Sequence, residues 1–399
     1  MKITIERAAL LKALAHVQSV VERRNTIPIL SNVLMEAKGG KLRLNATDMD
    51  LSIVEQVPAE VETAGATTAP AHTLYDIVRK LPDGAEVGLS TEGSDGQMVL
   101  SAGRSTFTLS TLPKEDFPAG NSGELPTVFA LEAQSLKDLV DRTRFAISTE
   151  ETRYYLNGIY LHDTKVGDVS LLRAVATDGH RLARFEMALP DGGAGMPGVI
   201  VPRKAVAEVR KLLEECEGPV EVALSDTRIR FSFDSTVLTS KLIDGTFPDY
   251  QRVIPKIADK APAMTVEVKA LGAALRRASS LNPFGRTEGV TLALSDDGRL
   301  ILVRKRIATG TSREIVPATV SGPPIIAALD GRYLQQMFKA HRGSGTITLR
   351  FIDAGSPVSI TSEREGFNSI LMPMRTGSEQ TAREALALLA PSPRLEAAE

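Results

Sequence analysis

The sequence predicts an α+β fold in which one domain, two helices on antiparallel sheets, is repeated three times. Three observations carry that prediction. Amphipathic stretches of similar pattern open at Glu6, Gln134 and Val268, and second helical stretches recur near Leu74, Ala205 and Tyr333. Their spacing, about 125 to 135 residues, is the size of a domain and far too long for one solenoid repeat. Between the helices, apolar residues alternate at every second position and are interrupted by glycine-containing turn triplets.

In the first repeat the helical stretch ERAALLKALAHVQSVVERR from Glu6 leads into alternating strands, with Gly39-Gly40-Lys41 as the hairpin turn. LYDIVRKL supplies the second helix, and STFTLSTLPKEDFP closes the repeat at Phe117-Pro118. The second repeat runs from QSLKDLVDRTRFAIS through a hairpin at Val166-Gly167-Asp168 to AVAEVRKLLEE, and closes with STVLTSKLIDGTFPDY at Phe247-Pro248. The third has VKALGAALRRASSL, a hairpin at Asp296-Asp297-Gly298, YLQQMFKAH and a last strand FNSILMPMR. Stretches rich in Gly, Ser, Pro, Lys and Ala at 121–126 and 255–262 mark the joints. The domains are therefore expected at 1–122, 127–255 and 263–375. Residues 376–399 form a tail with a short helix expected over 379–389, or remain disordered.

Composition narrows the function. A chain of 399 residues with 43% hydrophobic content can bury several cores, and its single cysteine, Cys216, excludes a disulfide framework or a thiolate metal cluster. The N-terminus carries charges through its apolar positions and no run of about 18 apolar residues occurs, so a cytoplasmic protein is expected. Lys and Arg (47) balance Asp and Glu (49), which excludes a uniformly basic nucleic-acid coat. The charge is unevenly placed, however. In the helical stretches Lys and Arg outnumber Asp and Glu by about two to one, as helices facing a phosphate backbone would require. Solvated helix faces favour Lys and Arg as well, so both readings stand. Catalysis finds no support: there is no G-x-S-x-G elbow, HExxH pair, P-loop or dinucleotide glycine pattern, and the five His are scattered. No cofactor and no metal are expected.

Longer motifs give a specific resemblance. Arg153-Tyr154-Tyr155-Leu156-Asn157-Gly158, Ala176-Thr177-Asp178-Gly179-His180-Arg181-Leu182-Ala183, Ile200-Val201-Pro202-Arg203-Lys204 and Phe247-Pro248-Asp249-Tyr250 occur in order in the second repeat. With Pro28-Ile29-Leu30, Ala46-Thr47-Asp48 and Met372-Pro373-Met374-Arg375, the chain resembles the bacterial DNA sliding clamp, the beta subunit of DNA polymerase III, over residues 1 to 375. The resemblance implies a head-to-tail homodimer closing into a ring around duplex DNA, with helices lining the hole. It implies a processivity factor that catalyses nothing. Its partners would be double-stranded DNA, bound without sequence preference, the polymerase III catalytic subunit, the clamp loader, other polymerases and repair proteins.

By the same resemblance, the DNA-contacting positions are Arg24, Arg153, Tyr154, Tyr155, Arg203 and Lys204. Strand packing is the competing role for the two tyrosines. The partner-peptide pocket would comprise Leu156, Thr177, Gly179, His180, Arg181 and Leu182 from the second domain, with Pro248, Arg252 and Val253 following it. Ile370, Leu371, Met372, Pro373, Met374 and Arg375 would complete it from the third. Leu, Val, Ile and polarisable Met make an adaptable apolar groove, and Arg and His can satisfy peptide carbonyls. Ordinary packing between domains is the competing role for this set.

The sequence departs from the family pattern in places. His72 stands where Arg is common and Glu150 where an amide is common, thinning the expected positive track. Val303-Arg304-Lys305-Arg306-Ile307 replaces an acidic cluster on the edge expected to meet the next subunit. The facing edge has Arg104, with Thr73 and Thr106 at positions often basic. Like charges there would repel, which predicts a weaker ring, one held by apolar contacts, or one needing a different partner subunit. The alternative function is a specialised second clamp, or a peptide-binding adaptor without the usual closed ring. In the tail, Leu386, Leu388 and Leu389 could fold back and compete with partner peptides.

Overall fold

The computed structural model describes residues 1–91, 96–118, 120, 123–281, 289–294, 299–306, 310–341 and 343–374, with the side chains of 305 and 306 left aside. The expected hairpin at Asp296-Asp297-Gly298, Ile307, Arg375 and the tail lie outside the described residues. Six α-helices are described: α1 (Arg7–Val17), α2 (Ala71–Lys80), α3 (Ala133–Thr143), α4 (Arg203–Leu212), α5 (Val268–Ser279) and α6 (Gly331–Ala340). They fall two to a repeat, as expected.

The chain divides into two compact units, one formed by 1–138 with 189–244, the other by 139–188 with 245–399. The repeat joints are thus not where the compact units divide. Strand pairing explains this. In unit 1 a continuous antiparallel sheet runs, in order, Thr127–Glu132, Pro219–Leu224, Arg228–Ser232, Thr236–Lys241, Leu51–Pro58, Lys41–Thr47, Asn32–Lys38 and Gly65–Pro70. The last strand of the second repeat therefore pairs with a strand of the first, with Leu238 opposite Ile53. Ile53, Leu44, Leu42 and Met35 are fully buried on one face of this sheet, as period-two alternation dictates. A second sheet in this unit runs Glu60–Thr63, Lys2–Glu6, Glu86–Ser90, Gln97–Ala102 and Ser105–Ser110.

Unit 2 repeats the device. Its strands run Gly158–Val166, Val169–Thr177, Arg181–Ala188, Phe367–Leu371, Val358–Ser362, Thr346–Arg350, Ala263–Glu267, Gly310–Ser321, Arg299–Arg306, Gly289–Leu294 and Ile325–Asp330. The last strand of the third repeat pairs with a strand of the second, Leu182 opposite Ile370. Leu271, Leu275, Leu334, Met337 and Phe351 fill the core beneath α5 and α6. Asp330 caps α6, accepting hydrogen bonds from the amides of Arg332 at 2.8 Å and Tyr333 at 3.4 Å. A cap of this kind stabilises a helix by about 1 kcal/mol.

Two expectations change. The helix expected to reach Arg24 stops at Val17, because the next amides of Ser19, Val20 and Val21 bond three residues back and tighten the turn. Ser19 Oγ also donates to the His16 carbonyl at 2.6 Å. Arg304, expected from the resemblance on the edge that meets the next subunit, is 4% exposed within this chain and lies on the core side of its strand with Leu300 and Leu302. Within this chain it is not a surface cation. Among the described residues, no helix is long and apolar enough to cross a membrane.

Candidate functional site

Most of the expected pocket is assembled in unit 2 around one turn, residues 177–181. Asp178 makes the turn: its Oδ1 accepts from the amides of His180 at 2.9 Å and Arg181 at 3.0 Å. Thr177 Oγ1 donates to the Arg181 carbonyl at 2.7 Å and accepts from the Gly179 amide at 3.1 Å. Gly179 sits at φ +86°, and a Cβ there would lie 2.6 Å from Arg153 Nη1, so glycine answers both the conformation and the space.

Arg181 is the structural centre of the site. Its Nε donates to Asp178 Oδ2 at 3.0 Å, its Nη1 donates to Gln336, and its guanidinium lies over Tyr333 at 4.2 Å and Phe145 at 5.3 Å. Burial lowers its pKa from the ordinary arginine value while Asp178 works in the opposite direction. An arginine this enclosed persists because its charge is paired and stacked. His180 is exposed beside it, stacked on Tyr333 at 6.3 Å.

The strand partner continues the site. Arg181 faces Leu371, after which the Met372 amide donates to the His180 carbonyl at 2.9 Å and the Met374 amide donates to Ala328 at 2.8 Å. Met372 is thereby held at the surface, 40% exposed, beside the buried Ile370 and Leu371. Leu156 is buried at the end of the 3₁₀ turn Glu151–Leu156, its carbonyl accepting from Ser148 at 3.1 Å. Pro248, Arg252 and Val253 are placed by a neighbouring 3₁₀ turn, Tyr250–Val253, whose Tyr250 hydroxyl bonds His162 and Arg173 at 3.0 Å each. Val253 is exposed, and Arg252 is paired with nearby Asp249 at 2.9 Å. A cleft of about 320 Å³ opens next to the turn, lined among others by Glu150, Asp178, His180, Arg181, Tyr333 and Gln336.

The expected DNA-facing residues divide between the units. In unit 2, Arg153 is clamped by Glu150, Nε to Oε2 at 2.9 Å and Nη2 to Oε1 at 2.7 Å, with a further bond to the Asp178 carbonyl at 3.2 Å. That pairing lowers the Glu150 pKa. Tyr154 is 52% exposed and meets Tyr155 edge-on at 5.8 Å, so it is not a packed strand residue. In unit 1, Arg24 and Arg203 are exposed. Lys204 instead turns to Asp48 and, at 3.4 Å, to Glu22. His72 is likewise engaged, its Nε2 donating to the Val21 carbonyl at 2.9 Å.

Sequence reasoning missed Tyr333, Gln336, Phe145 and the structural role of Asp178. Asp178 was recoverable from turn chemistry, since Asp folds its carboxylate back onto amides two and three residues ahead. Tyr333 and Gln336 share one face of α6 at i, i+3, but nothing local says that Arg181, 155 residues away from Gln336, lies against them.

The comparisons with known proteins agree along the whole described chain. The description DNA polymerase III beta subunit fits as N-terminal domain over residues 1–121, central domain over 130–249 and C-terminal domain over 251–375. A beta sliding clamp of Caulobacter vibrioides is 48% identical over 376 residues, 94% of this chain and 100% of that one. The beta sliding clamp of Escherichia coli K12 is 36% identical over 379 residues, again 94% and 100%. Among solved structures, a Bartonella birtlesii sliding clamp bound to griselimycin superposes with a TM-score of 0.89 at 46% identity, covering 94% of this chain and 100% of its own. A Caulobacter crescentus clamp gives 0.87 at 47%, with the same coverage. Shared fold, ordered motifs and identity over nearly the full length place this chain in the beta sliding clamp family, the beta subunits of DNA polymerase III.

Proposed function

We propose that this sliding clamp acts through the residues assembled above: a peptide pocket in unit 2 and separate cationic contacts to duplex DNA. As a member of its family the chain is a non-catalytic processivity factor, enclosing DNA as a head-to-tail dimer and tethering polymerase to it. The domains are assigned to 1–122, 127–255 and 263–375, and the cellular site is the cytoplasm. The pocket takes a short extended apolar peptide against Leu156, Leu182, Ile370 and Met372, while Thr177, His180 and Arg181 frame it. The observation that carries this reading is the turn at 177–181, which fixes Met372 at the surface through the His180 carbonyl.

Arg24, Arg153, Tyr154, Tyr155, Arg203 and Lys204 provide diffuse phosphate and sugar contacts. Such contacts carry affinity without sequence and permit sliding. Lys204 and Arg153 must exchange their internal carboxylates for phosphate when they do so. Fluorescence anisotropy of a labelled apolar partner peptide tests the assignment. Met372→Lys should weaken peptide binding by more than about tenfold by charging an apolar anchor site, whereas Arg153→Ala should leave peptide affinity intact and weaken DNA binding. Equal peptide affinity for Met372→Lys and the parent protein would remove Met372 from the pocket.

A further inference from the structure

Glu150 stands between the two functional surfaces of unit 2. Its main chain is fixed: the amide donates to Ser148 Oγ at 3.1 Å and the carbonyl accepts from Asn157 Nδ2 at 3.1 Å. Its side chain is half exposed and lines the 320 Å³ cleft together with Asp178, His180 and Arg181. Both carboxylate oxygens are taken by Arg153, Oε2 by Nε at 2.9 Å and Oε1 by Nη2 at 2.7 Å. These bonds lower the Glu150 pKa, with a smaller push in the same direction from His180, so the group is a carboxylate at neutral pH.

The other charges of the cleft are committed more firmly. Asp178 accepts from two amides and from Arg181, whose buried guanidinium is stacked over Tyr333 at 4.2 Å. Arg332 is held at 3.2 Å by Asp330, a buried carboxylate that also caps α6. Breaking either pair would strand a buried charge. The Glu150–Arg153 pair differs, with side chains 50% and 34% exposed, so it exchanges partners at little cost. Its two ends also serve different ligands. Glu150 lines the peptide cleft, and Arg153 is one of the expected DNA-contacting residues.

We propose that Glu150 is a specificity residue of the pocket, released when Arg153 moves to a DNA phosphate and then selecting partner peptides that carry a Lys or Arg beside their apolar anchor. Every charge keeps a partner in that exchange. The Glu150–Arg153 pair of the free protein becomes an Arg153–phosphate pair and a Glu150–peptide pair on DNA, whereas either ligand alone leaves one member of the pair to water. Binding of DNA and binding of a basic-flanked peptide therefore favour each other, by the same factor in both directions. An uncharged apolar peptide gains nothing, since Leu156, Leu182, Ile370 and Met372 take no part in the exchange. An amide at position 150 would leave no charge behind on release, so the carboxylate is what makes the effect selective. The inference rests on the proposed assignments of Arg153 to DNA and of the cleft to peptide.

Fluorescence anisotropy with the full-length protein tests this. The probes are labelled, acetylated hexapeptides with a central Leu-Phe pair flanked by lysines or by serines, and a short DNA duplex, with peptide binding to the duplex alone subtracted. The readout is the ratio of lysine-peptide to serine-peptide affinity. The duplex should raise that ratio about threefold, the effect of one exposed ion pair, and Arg153→Ala should raise it as much with no DNA present. Adding Glu150→Gln should abolish both effects. A ratio that Arg153→Ala leaves unchanged, or a duplex effect that persists in Glu150→Gln, overturns the inference while the pocket stands. Duplex binding equal in Arg153→Ala and the parent protein takes Arg153 off the DNA and ends the exchange. Failure of the serine peptide to bind at all removes the pocket itself, and the inference with it.

Discussion

Residues 47–51 and 177–181 share a backbone frame and differ in what they hold. In both, an Asp carboxylate accepts from the fourth and fifth amides of the turn and a Thr hydroxyl locks its ends. In unit 2 the carboxylate also holds buried Arg181, and the guanidinium of Arg153 leaves no room for a side chain at Gly179. In unit 1 the carboxylate holds Lys204, 39% exposed, and the position matching Gly179 carries an outward methionine. Main-chain hydrogen bonds therefore set the shape of the turn, and side chains determine which chemistry it presents. The copy in unit 2 is built around a paired, stacked cation; the copy in unit 1 keeps its cation near water.

The sharpest way to break this comparison is to remove each aspartate. Asp178→Ala leaves an enclosed guanidinium without its carboxylate and should lower local stability by about 3 kcal/mol. Asp48→Ala loses the same two amide bonds but only a solvent-screened partner, and should cost about 1 kcal/mol. Native-state hydrogen exchange in the strands Arg181–Ala188 and Leu51–Pro58 reads the two separately. Equal losses would erase the distinction between a buried and an exposed cation.

The units should also respond oppositely to pH. His341 is fully buried against Phe367 in unit 2, and burial together with the Arg142 charge lowers its pKa to about 3. It stays neutral in the fold while the unfolded chain protonates, so unit 2 loses about 1.4 kcal/mol per pH unit below pH 6.5 from this residue. His16 in unit 1 behaves the other way. Burial opposes its charge, but the 2.8 Å hydrogen bond to Glu55 and the charges of Glu55 and Glu215 prevail, and its pKa is raised. Its stabilisation is complete below pH 6.5 and disappears as pH rises through the raised value. Hydrogen exchange from pH 8 to 5 should show unit 1 gaining protection from His16 while unit 2 loses it. His341→Phe should flatten the acid response of unit 2, and His16→Gln should flatten the alkaline response of unit 1.

The smallest effect is expected at Glu150. Its pair with Arg153 is solvent-exposed, so Glu150→Gln should leave thermal unfolding unchanged. Released from its carboxylate, Arg153 becomes available to phosphate, and the dependence of DNA affinity on salt should steepen by about one unit. An unchanged slope would mean that Arg153 belongs to the turn and not to the DNA-facing set.

Much of the fold was legible because the helices obey simple periodicity and sit at domain-sized intervals. Leu271, Ala274, Leu275 and Ala278 show it in α5, where spacing of three and four residues places all of them in the core. The sheets were legible as strands but not as neighbours. Leu238 pairs with Ile53 and Leu182 with Ile370, so the sheets cross the repeat joints and the compact units do not follow them. Alternation states which face a residue occupies and never which strand lies beside it. The turn at 177–181 was legible through its motif residues, yet Tyr333 and Gln336, which hold Arg181 in place, carry no local mark. Arg304 was assigned to the subunit edge by resemblance alone; its even spacing from Leu300 and Leu302 is what puts its side chain on the buried side of its strand within this chain.

Topological retention on DNA tests enclosure most directly. The protein, loaded onto nicked circular DNA by a clamp loader and passed through a sizing column at high salt, should co-elute with the circle and dissociate once the circle is linearised. Equal release from intact and linearised circles, or no retention on either, would contradict a closed ring around the duplex.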